Sequence, residues 1–310
     1  MKCIVIYFSQ TGNTEKVAKA IQAGVQRAAG HCDIVKIKEA NPRRLYEYDL
    51  IGLGTPGRGP EPSNVTAFIN DMRFVGGKYI FAFATHGSTP EPLFPSMVPK
   101  LKGRGLVVIG TRSWYGNCYI PYQSEPYATA GHPDEVDLKE AEDFGREIVE
   151  RSQRISAGET ELIPPVPKAP ELAGPPFGGE DISIASKFNS MAKFNMEKCI
   201  YPKCRLCMDN CPMDGIDLSV KPPVFAKPCV SCTFCEQICP TGAIDAEAWY
   251  EAAVPVWNKI FDKYILPPLA KAEAEGRFRR LVPVEKIGRD NPIYKVHRKH
   301  PRWIIGKGMQ

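Results

Sequence analysis

The chain has 310 residues, a length that fits about two domains of roughly 100–200 residues each. Hydrophobic residues make up 43% of the sequence and aromatic residues 10%, which excludes wholesale disorder. The chain has 40 basic and 35 acidic residues, a net charge of +5. Residues 271–310, with eleven basic and four acidic side chains, make this net charge positive. No apolar run approaches the ~18–20 residues of a membrane span, and no secretory signal is evident, so we expect a cytoplasmic protein.

Residues 1–155 alternate apolar runs of strand length with amphipathic helical patterns. The predicted strands lie at 3–8, 33–37, 49–54, 79–85 and 105–110, and the predicted helices at 14–29, 63–73, 91–102 and 137–154. Asp137 opens the last helix with Glu140 three residues on, which resembles a capping box. Continuous apolar strands that alternate with helices predict an α/β fold with a doubly wound parallel sheet.

The rest of the chain has a different organisation. Residues 156–189 are rich in Pro and Gly and predict an extended linker. A cysteine-rich module follows at 190–246, and then a C-terminal extension at 247–310. The extension begins with helical patterns that Pro255, Pro267 and Pro268 divide, and it ends in an irregular basic stretch.

The first chemically informative segment follows the first predicted strand and opens the first predicted helix. It consists of Ser9, Gln10, Thr11, Gly12, Asn13 and Thr14. Hydroxyl and amide side chains at a helix N-terminus suit a phosphate, because the first backbone N–H groups there are unpaired and the helix dipole is positive. No Lys is present, so the loop differs from a Walker-type nucleotide loop.

Residues 5–14, followed by Ala18, resemble the FMN-phosphate signature of the flavodoxin family. The resemblance implies a five-stranded parallel sheet in the order 2-1-3-4-5, with FMN at the strand-1/strand-3 switch point. The isoalloxazine ring should then touch the loops after strands 3 and 4. The candidate contacts are Thr55, Pro56, Gly57, Arg58 and Gly59 in the first loop and Thr85, His86, Gly87 and Ser88 in the second. Neither loop offers an aromatic side chain, so Trp114 or Tyr115 is the candidate for stacking on the ring, the alternative being loop packing.

Two other features of this region can be explained without a functional role. Residues 52–57 match G-x-G-x-x-G by letter, but they begin inside the third strand and run into a Pro-rich segment, so we treat the match as accidental. His86 either acts on the flavin or is a satisfied loop residue.

Eight of the eleven cysteines lie between Cys199 and Cys239, in two runs. The first run is Cys199-x4-Cys204-x2-Cys207-x3-Cys211-Pro, and the second is Cys229-x2-Cys232-x2-Cys235-x3-Cys239-Pro. The second run matches the bacterial iron–sulfur pattern, and the first differs by two extra residues in its leading gap. Two all-thiolate zinc sites are the alternative, although zinc ribbons usually separate paired C-x2-C knuckles. Disulfides are not expected in this compartment.

The two runs resemble the two-[4Fe–4S] ferredoxin family, in which the fourth cysteine of each run ligates the other cluster. This resemblance implies that one cluster is held by Cys199, Cys204, Cys207 and Cys239, and the other by Cys211, Cys229, Cys232 and Cys235. Together the modules resemble a flavodoxin–ferredoxin fusion protein from anaerobes, with a flavodoxin-like domain at 1–155 and a small α+β ferredoxin-like domain at 190–246.

A chain with FMN and two [4Fe–4S] clusters is expected to be an electron-transfer protein with a redox partner protein, in anaerobic low-potential metabolism. The alternatives are an FMN/iron–sulfur oxidoreductase that reduces a small substrate or quinone, and a relay subunit of a larger redox complex. Whether the chain is an enzyme and what its oligomeric state is stay open. The basic, aromatic tail either covers an acidic region, docks an acidic partner or is a solvated end, and we expect no nucleic-acid binding.

Overall fold

The computed structural model describes residues 1–57, 59–88, 92–118, 120–123, 125–168, 188–220, 223–225, 229, 231–288 and 291–297. Two compact units divide the chain: Met1–Asn117 with Gly131–Glu171, and Cys118–Ala130 with Leu172–Gln310. The sequence-based boundary at residue 155 assigns residues 118–130 to the first domain, whereas the structure groups them with the second unit. Arg58, most of the Pro-rich linker (169–187) and the tail from residue 298 lie outside the described residues.

The first unit is built on a five-stranded parallel sheet in the order β2-β1-β3-β4-β5, which confirms the predicted fold class. The strands are β1 (Cys3–Tyr7), β2 (Cys32–Lys36), β3 (Leu50–Gly57), β4 (Tyr79–His86) and β5 (Val107–Tyr115). The helices are α1 (Asn13–Ala29), α2 (Ser63–Asp71), α3 (Leu93–Gly103) and α4 (Glu135–Ser156). Because the strands run parallel, their carboxyl ends all lie along the same edge of the sheet. The loops after β1, β3, β4 and β5 therefore lie at that edge.

Helices cover both faces of the sheet, so its strands are apolar on both sides. The helices α2 and α3 bury residues such as Val65 and Met97 against one face. The helices α1 and α4 cover the other face and lie very close together. A Cβ at Gly145 of α4 would lie 2.2 Å from the carbonyl oxygen of Ile21 in α1, so glycine permits this approach.

The start of α4 differs from the sequence expectation. The N-cap is Asp134, whose Oδ1 accepts from the Asp137 amide at 3.2 Å, while the Asp134 amide donates to Asp137 Oδ2 at 2.8 Å. Asp137 is thus the third helical residue of the capping box and not its cap. Two overlapping acidic pairs, three residues apart in each case, fit the same local pattern, and the fold selects the earlier one.

The second unit contains short elements around the cysteines. Two antiparallel pairs join β6 (Lys193–Phe194) to β9 (Ile244–Asp245), and β7 (Ile216–Asp217) to β8 (Val224–Phe225). Single-turn helices lie at α5 (Phe188–Met191), α6 (Leu206–Asp209) and α7 (Phe234–Gln237). The last two follow cysteines at matching places in the two runs, which agrees with the internal repeat in the sequence.

A longer helical segment follows the cysteine module. Helix α8 (Glu247–Ile260) continues through a π-helical turn (Phe261–Ile265) into α9 (Leu266–Ala274), and α10 (Ile293–His297) comes last. The expectation that Pro255 divides two helices is wrong, because Pro255 lies inside α8. Pro267 and Pro268 occupy the first turn of α9, where the missing N–H is tolerated.

An aromatic cluster forms the core of this second unit. Its members are Tyr122, Phe188, Trp249, Tyr250 and Tyr294, all buried, with Cys229 and Cys235 packed against them. Three backbone hydrogen bonds connect residues 291–294 to the segment 118–130: Glu125 N to Asn291 O, Ile293 N to Gln123 O and Tyr294 N to Pro121 O, at 2.8–3.0 Å.

In the part of the chain that is described, no helix is both long enough and apolar enough to cross a membrane.

Candidate functional site

The loop after β1 has the geometry of an anion cradle. Gly12 adopts a left-handed conformation (φ 92°) at the N-cap of α1, and no side chain caps the first turn. Its amide donates to Ser9 Oγ at 3.2 Å, which folds the loop back on itself. Ser9, Gln10, Thr11 and Gly12 are half-exposed, whereas Asn13 and Thr14 are buried. The uncapped start of a 17-residue helix therefore opens onto a neutral, reachable loop, and these residues fit a phosphate monoester.

Buried contacts connect this loop to the ends of β4 and β5. Thr14 Oγ1 and Thr85 Oγ1 share a hydrogen bond of 2.8 Å in the interior. Asn13 Nδ2 donates to the carbonyl of Asn117 at 2.6 Å. A Cβ at Gly116 would lie 3.3–3.4 Å from atoms of Asn13 and Thr85, so the chain passes tightly over the loop. Sequence reasoning missed Gly116 and Asn117, whose only signal is their place directly after a strand.

The loops after β3 and β4 place the other predicted contacts at the same edge. Thr55 is buried, with its hydroxyl 3.4 Å from the Pro56 carbonyl, and Gly59 is buried as well. Pro56 and Gly57 are half-exposed, as are Gly87 and Ser88 after β4. Each loop thus leaves a glycine half-exposed at this edge, where the backbone can approach a flat ring closely.

His86 at the end of β4 is buried, with Nδ1 lacking a hydrogen-bond partner. Burial lowers the pKa of His86 to about 3, despite a hydrogen bond with the Ser88 backbone that acts in the opposite direction. The imidazole is therefore neutral at physiological pH, and its orphaned nitrogen is available to a bound group.

Of the two candidates for stacking on the ring, Trp114 lies in the core and Tyr115 lies at the loop edge. Trp114 is buried in the core between the sheet and α4, with its ring 5.7 Å from that of Phe144, so the structure does not support flavin stacking by Trp114. Tyr115 is half-exposed and lies beside His86, with ring centroids 4.6 Å apart. Both residues lie within β5, where successive side chains point to opposite faces, so only one of the two can reach the loop edge.

One compact group of metal-ligand types lies near Tyr115. His132 Nδ1 is 2.5 Å from Asp137 Oδ2, and Asp134 completes the group. The same Asp oxygens close the capping box of α4, so the group's hydrogen bonds already serve the helix start. His132 also contacts the site edge. Its ring centroid lies 6.1 Å from that of Tyr115, and its backbone carbonyl accepts a hydrogen bond from the Asn117 amide.

The eight clustered cysteines line two separate cavities in the second unit. One cavity is lined by Cys199, Cys204, Cys207 and Cys239 together with apolar side chains such as Ile200 and Leu218. The other is lined by Cys211, Cys229, Cys232 and Cys235 with Phe188, Ile216 and Phe225. Each cavity thus takes three cysteines from one run and the fourth from the other. We call these sets the first quartet and the second quartet.

The thiols within each quartet affect one another electrostatically. Burial, followed by Cys239, raises the pKa of Cys207 to about 11. Burial, followed by Cys232 and Cys229, raises the pKa of Cys235 well above its ordinary value. A cationic metal centre reverses this effect and holds the sulfurs as thiolates.

Backbone amides point at several of these sulfurs. Gly215 N donates to Cys211 Sγ and Ala243 N to Cys239 Sγ, both at 3.2 Å, which are equivalent places in the two runs. Ser231 N donates to Cys229 Sγ at 3.3 Å. Such N–H···S bonds stabilise charge on ligand sulfurs.

A further group of metal-ligating side chains lies outside the quartets. Among the described residues, His132, Asp134 and Asp137 bring three ligand atoms within 4.8 Å of one another. All eleven cysteines are free, so none of the quartet thiols is engaged in a disulfide.

Comparison with known proteins shows that the first unit is similar to flavodoxins. The flavodoxin family model matches residues 5–121. A flavodoxin of Megasphaera elsdenii is 29% identical over 110 residues, which make up 36% of this chain and 64% of that flavodoxin, so the chain matches less than two thirds of this relative. An NAD(P)H dehydrogenase (quinone) of Archaeoglobus fulgidus is 27% identical over 199 residues, covering 50% of this chain and 98% of that protein.

A second similarity concerns a shorter stretch. An uncharacterized ferredoxin of Methanocaldococcus jannaschii is 39% identical over 51 residues, which make up 16% of this chain and 82% of that ferredoxin. The chain therefore has a flavodoxin-like domain at its N-terminus and, elsewhere, a short stretch homologous to a ferredoxin.

Proposed function

We propose that the protein is an electron-transfer protein that holds FMN in its first unit, holds a [4Fe–4S] cluster at each cysteine quartet, and exchanges electrons with a partner protein. The observation that carries this proposal is the division of eight cysteines into two four-thiol cavities, each drawn from both runs. That division follows the crossed ligand pattern of two-cluster ferredoxins.

The residues present suit these groups. Ser9, Thr11 and the uncapped amides of α1 would hold the FMN phosphate, while Tyr115 and neutral His86 would border its ring. The apolar walls of the two cavities would exclude water, and the amides of Gly215 and Ala243 would stabilise charge on the sulfurs. When bound, FMN supplies one- or two-electron chemistry and each cluster one-electron chemistry.

The composition of anaerobically purified protein tests the proposal. We expect about eight iron atoms, eight sulfides and one FMN per chain, from two four-iron centres and one flavin site. Zinc in place of iron would refute the cluster assignment. Replacement of Gly12 by Glu should abolish FMN binding and leave the iron content unchanged, because it adds a negative charge and a side chain at φ 92°.

Single cysteine variants test the crossed ligand sets. Cys239→Ala removes one thiol from the cavity that Cys199, Cys204 and Cys207 line, so the cluster there should be lost. Cys235→Ala, a change four residues away in the same run, should remove the other cluster. EPR spectra of the two reduced variants should therefore retain different signals. Loss of the same signal in both variants would contradict the crossed assignment.

A second candidate function is quinone reduction at the FMN site. It rests on the similarity to the NAD(P)H dehydrogenase (quinone), which spans half of this chain. Steady-state reduction of a quinone by NAD(P)H, with no protein partner added, would favour this function over a relay. No turnover with NADH or NADPH, together with rapid reduction by a reduced carrier protein, would favour the relay.

A further inference from the structure

The loop over the first quartet is unusual in shape and charge. Two extra residues separate Cys199 from Cys204, compared with the second run. Asn195 Oδ1 accepts from the amides of Glu197 and Lys198, at 2.9 and 3.2 Å, and Lys203 N donates to the Ile200 carbonyl at 2.9 Å. These bonds hold the segment as two successive turns. We call residues 193–205 the leading loop.

The leading loop presents one apolar side chain at its tip. Ile200 is 48% exposed and also lines the cavity of the first quartet. Ile200 thus joins the surface of the leading loop to the lining of the first quartet, and it can supply an apolar contact to an interface formed by the charged residues around it.

Charge is sharply divided around this tip. The leading loop contains Lys193, Lys198, Lys203 and Arg205, all exposed, and one acidic residue, Glu197. Residues 206–246, the remainder of the module, contain five acidic and two basic residues. Arg205 pairs with Asp209 at 3.3 Å, whereas Lys193, Lys198 and Lys203 form no ion pair among the described residues. The basic side chains of the module are therefore concentrated beside the first quartet, and no acidic side chain in the described part of the chain pairs with three of them.

The second quartet has different surroundings. Cys229 and Cys235 pack against the aromatic cluster, in which Trp249 and Tyr250 are almost completely buried. Tyr250 donates a hydrogen bond to Glu236 Oε2 at 2.6 Å, which fixes the ring in place. The large rings of the second unit thus pack against the second quartet, whereas the leading loop contributes Phe194, Ile200 and two cysteines to the lining of the first.

We propose that the leading loop is the docking surface for an acidic one-electron carrier protein, and that the first quartet is the site where electrons enter or leave the chain. The inference rests on the proposed function, since it assumes a cluster at that quartet. With a cluster held by the first quartet, one electron would pass from the reduced carrier to the oxidised centre, and no bond would be made or broken. Lys198 and Lys203 attract the carrier's carboxylates, and Ile200 supplies the apolar contact at the centre of the interface.

Electron-transfer rates test the charge requirement. A small acidic ferredoxin serves as the reduced probe, and the oxidised full-length protein as the acceptor, at ionic strengths of about 0.01 and 0.15 M. Lys198→Glu/Lys203→Glu should lower the second-order rate constant about 10-fold or more at the lower ionic strength and flatten its salt dependence. Lys259→Glu/Lys286→Glu removes two exposed lysines of the same unit and should leave the rate unchanged. A larger effect of this control pair than of the loop pair would overturn the inference and favour the C-terminal extension as the docking surface.

Cross-linking gives a readout that does not depend on electron transfer. A zero-length carbodiimide reagent joins carboxylates of the probe to lysines that contact them, and mass spectrometry should find Lys198 or Lys203 among the products. Ile200→Ser should weaken the binding of the probe about fivefold or more, whereas Val284→Ser, at a residue that is 51% exposed, should not. Full iron content with rates and cross-links indifferent to Lys198 and Lys203 would refute the docking surface alone. A chain without iron that still cross-links at Lys198 would refute the proposed function and leave the surface standing.

Discussion

Replacement of Gly145 by alanine perturbs the close contact between α1 and α4 in the first unit. The new Cβ would lie 2.2 Å from the Ile21 carbonyl oxygen and 3.0 Å from the Val25 amide nitrogen. Both neighbours are helical backbone, so neither can rotate away, and α1 must move from α4 by nearly 1 Å to restore normal contact. Overpacking of this kind costs about 1–3 kcal/mol, which in a unit of this size lowers the melting temperature by roughly 2–12 °C.

The control for this variant is Gly103→Ala, at the end of α3. A Cβ at Gly103 meets no atom within 4 Å, so the change should be neutral or stabilise by up to about 1 kcal/mol. Thermal unfolding compares the two variants, and hydrogen exchange on peptides of α1 and α4 locates the effect. Because α1 begins at the phosphate loop, Gly145→Ala should also weaken FMN binding. A wild-type melting temperature for Gly145→Ala would refute the close contact of the two helices.

Three further predictions concern single side chains. The folded-state pKa of His86 is about 3 and the ordinary value 6.5, so the unfolded state binds more protons in between and stability should rise with pH over that window. His86→Gln should reduce this slope by up to about 1.4 kcal/mol per pH unit, measured by urea unfolding from pH 4 to 6.5. Tyr115→Leu should weaken FMN binding several-fold in a fluorescence titration, whereas Trp114→Leu should lower the melting temperature instead. Tyr250→Phe removes the hydrogen bond to Glu236 and should cost about 1 kcal/mol in free energy of unfolding, with intact iron content as the control.

The parallel sheet could be predicted because its strands are buried on both faces and therefore read as continuous apolar runs. The fifth strand shows where continuous apolar runs fail to predict the end of a strand. It continues from Val107 to Tyr115, but Thr111, Arg112 and Ser113 are half-exposed at the edge of the sheet and look like loop residues. The predicted end at residue 110 placed Trp114 in a loop. Inside a strand, alternation sends Trp114 into the core and leaves Tyr115 for the site.

The segment 118–130 shows a different limit. Its sequence carries no motif, yet its backbone pairs with residues 291–294, more than 160 positions later, and Tyr122 enters the aromatic cluster. Periodicity reports the local face of an element and contains no information about such distant pairing. The described part of the basic tail adds further contacts of this kind. Phe278 and Tyr294 are buried, and Arg280 pairs with Glu273 at 2.7 Å, so these residues pack within the second unit.

For the cysteine quartets, the sequence predicts the ligands but not the contacts among them. Spacing along the chain gives eight ligands and two similar runs, but it does not say which thiols meet, and the crossed assignment came from resemblance to a family. The cavities reach the same division from packing alone, with Cys239 beside the first run and Cys211 beside the second. Since each site needs a thiol from the other run, neither half of the repeat can hold a complete centre by itself. Under the proposed function, metal binding at either site would stabilise the fold of both halves, and a fragment that carries only one run should bind iron weakly and lack a stable fold.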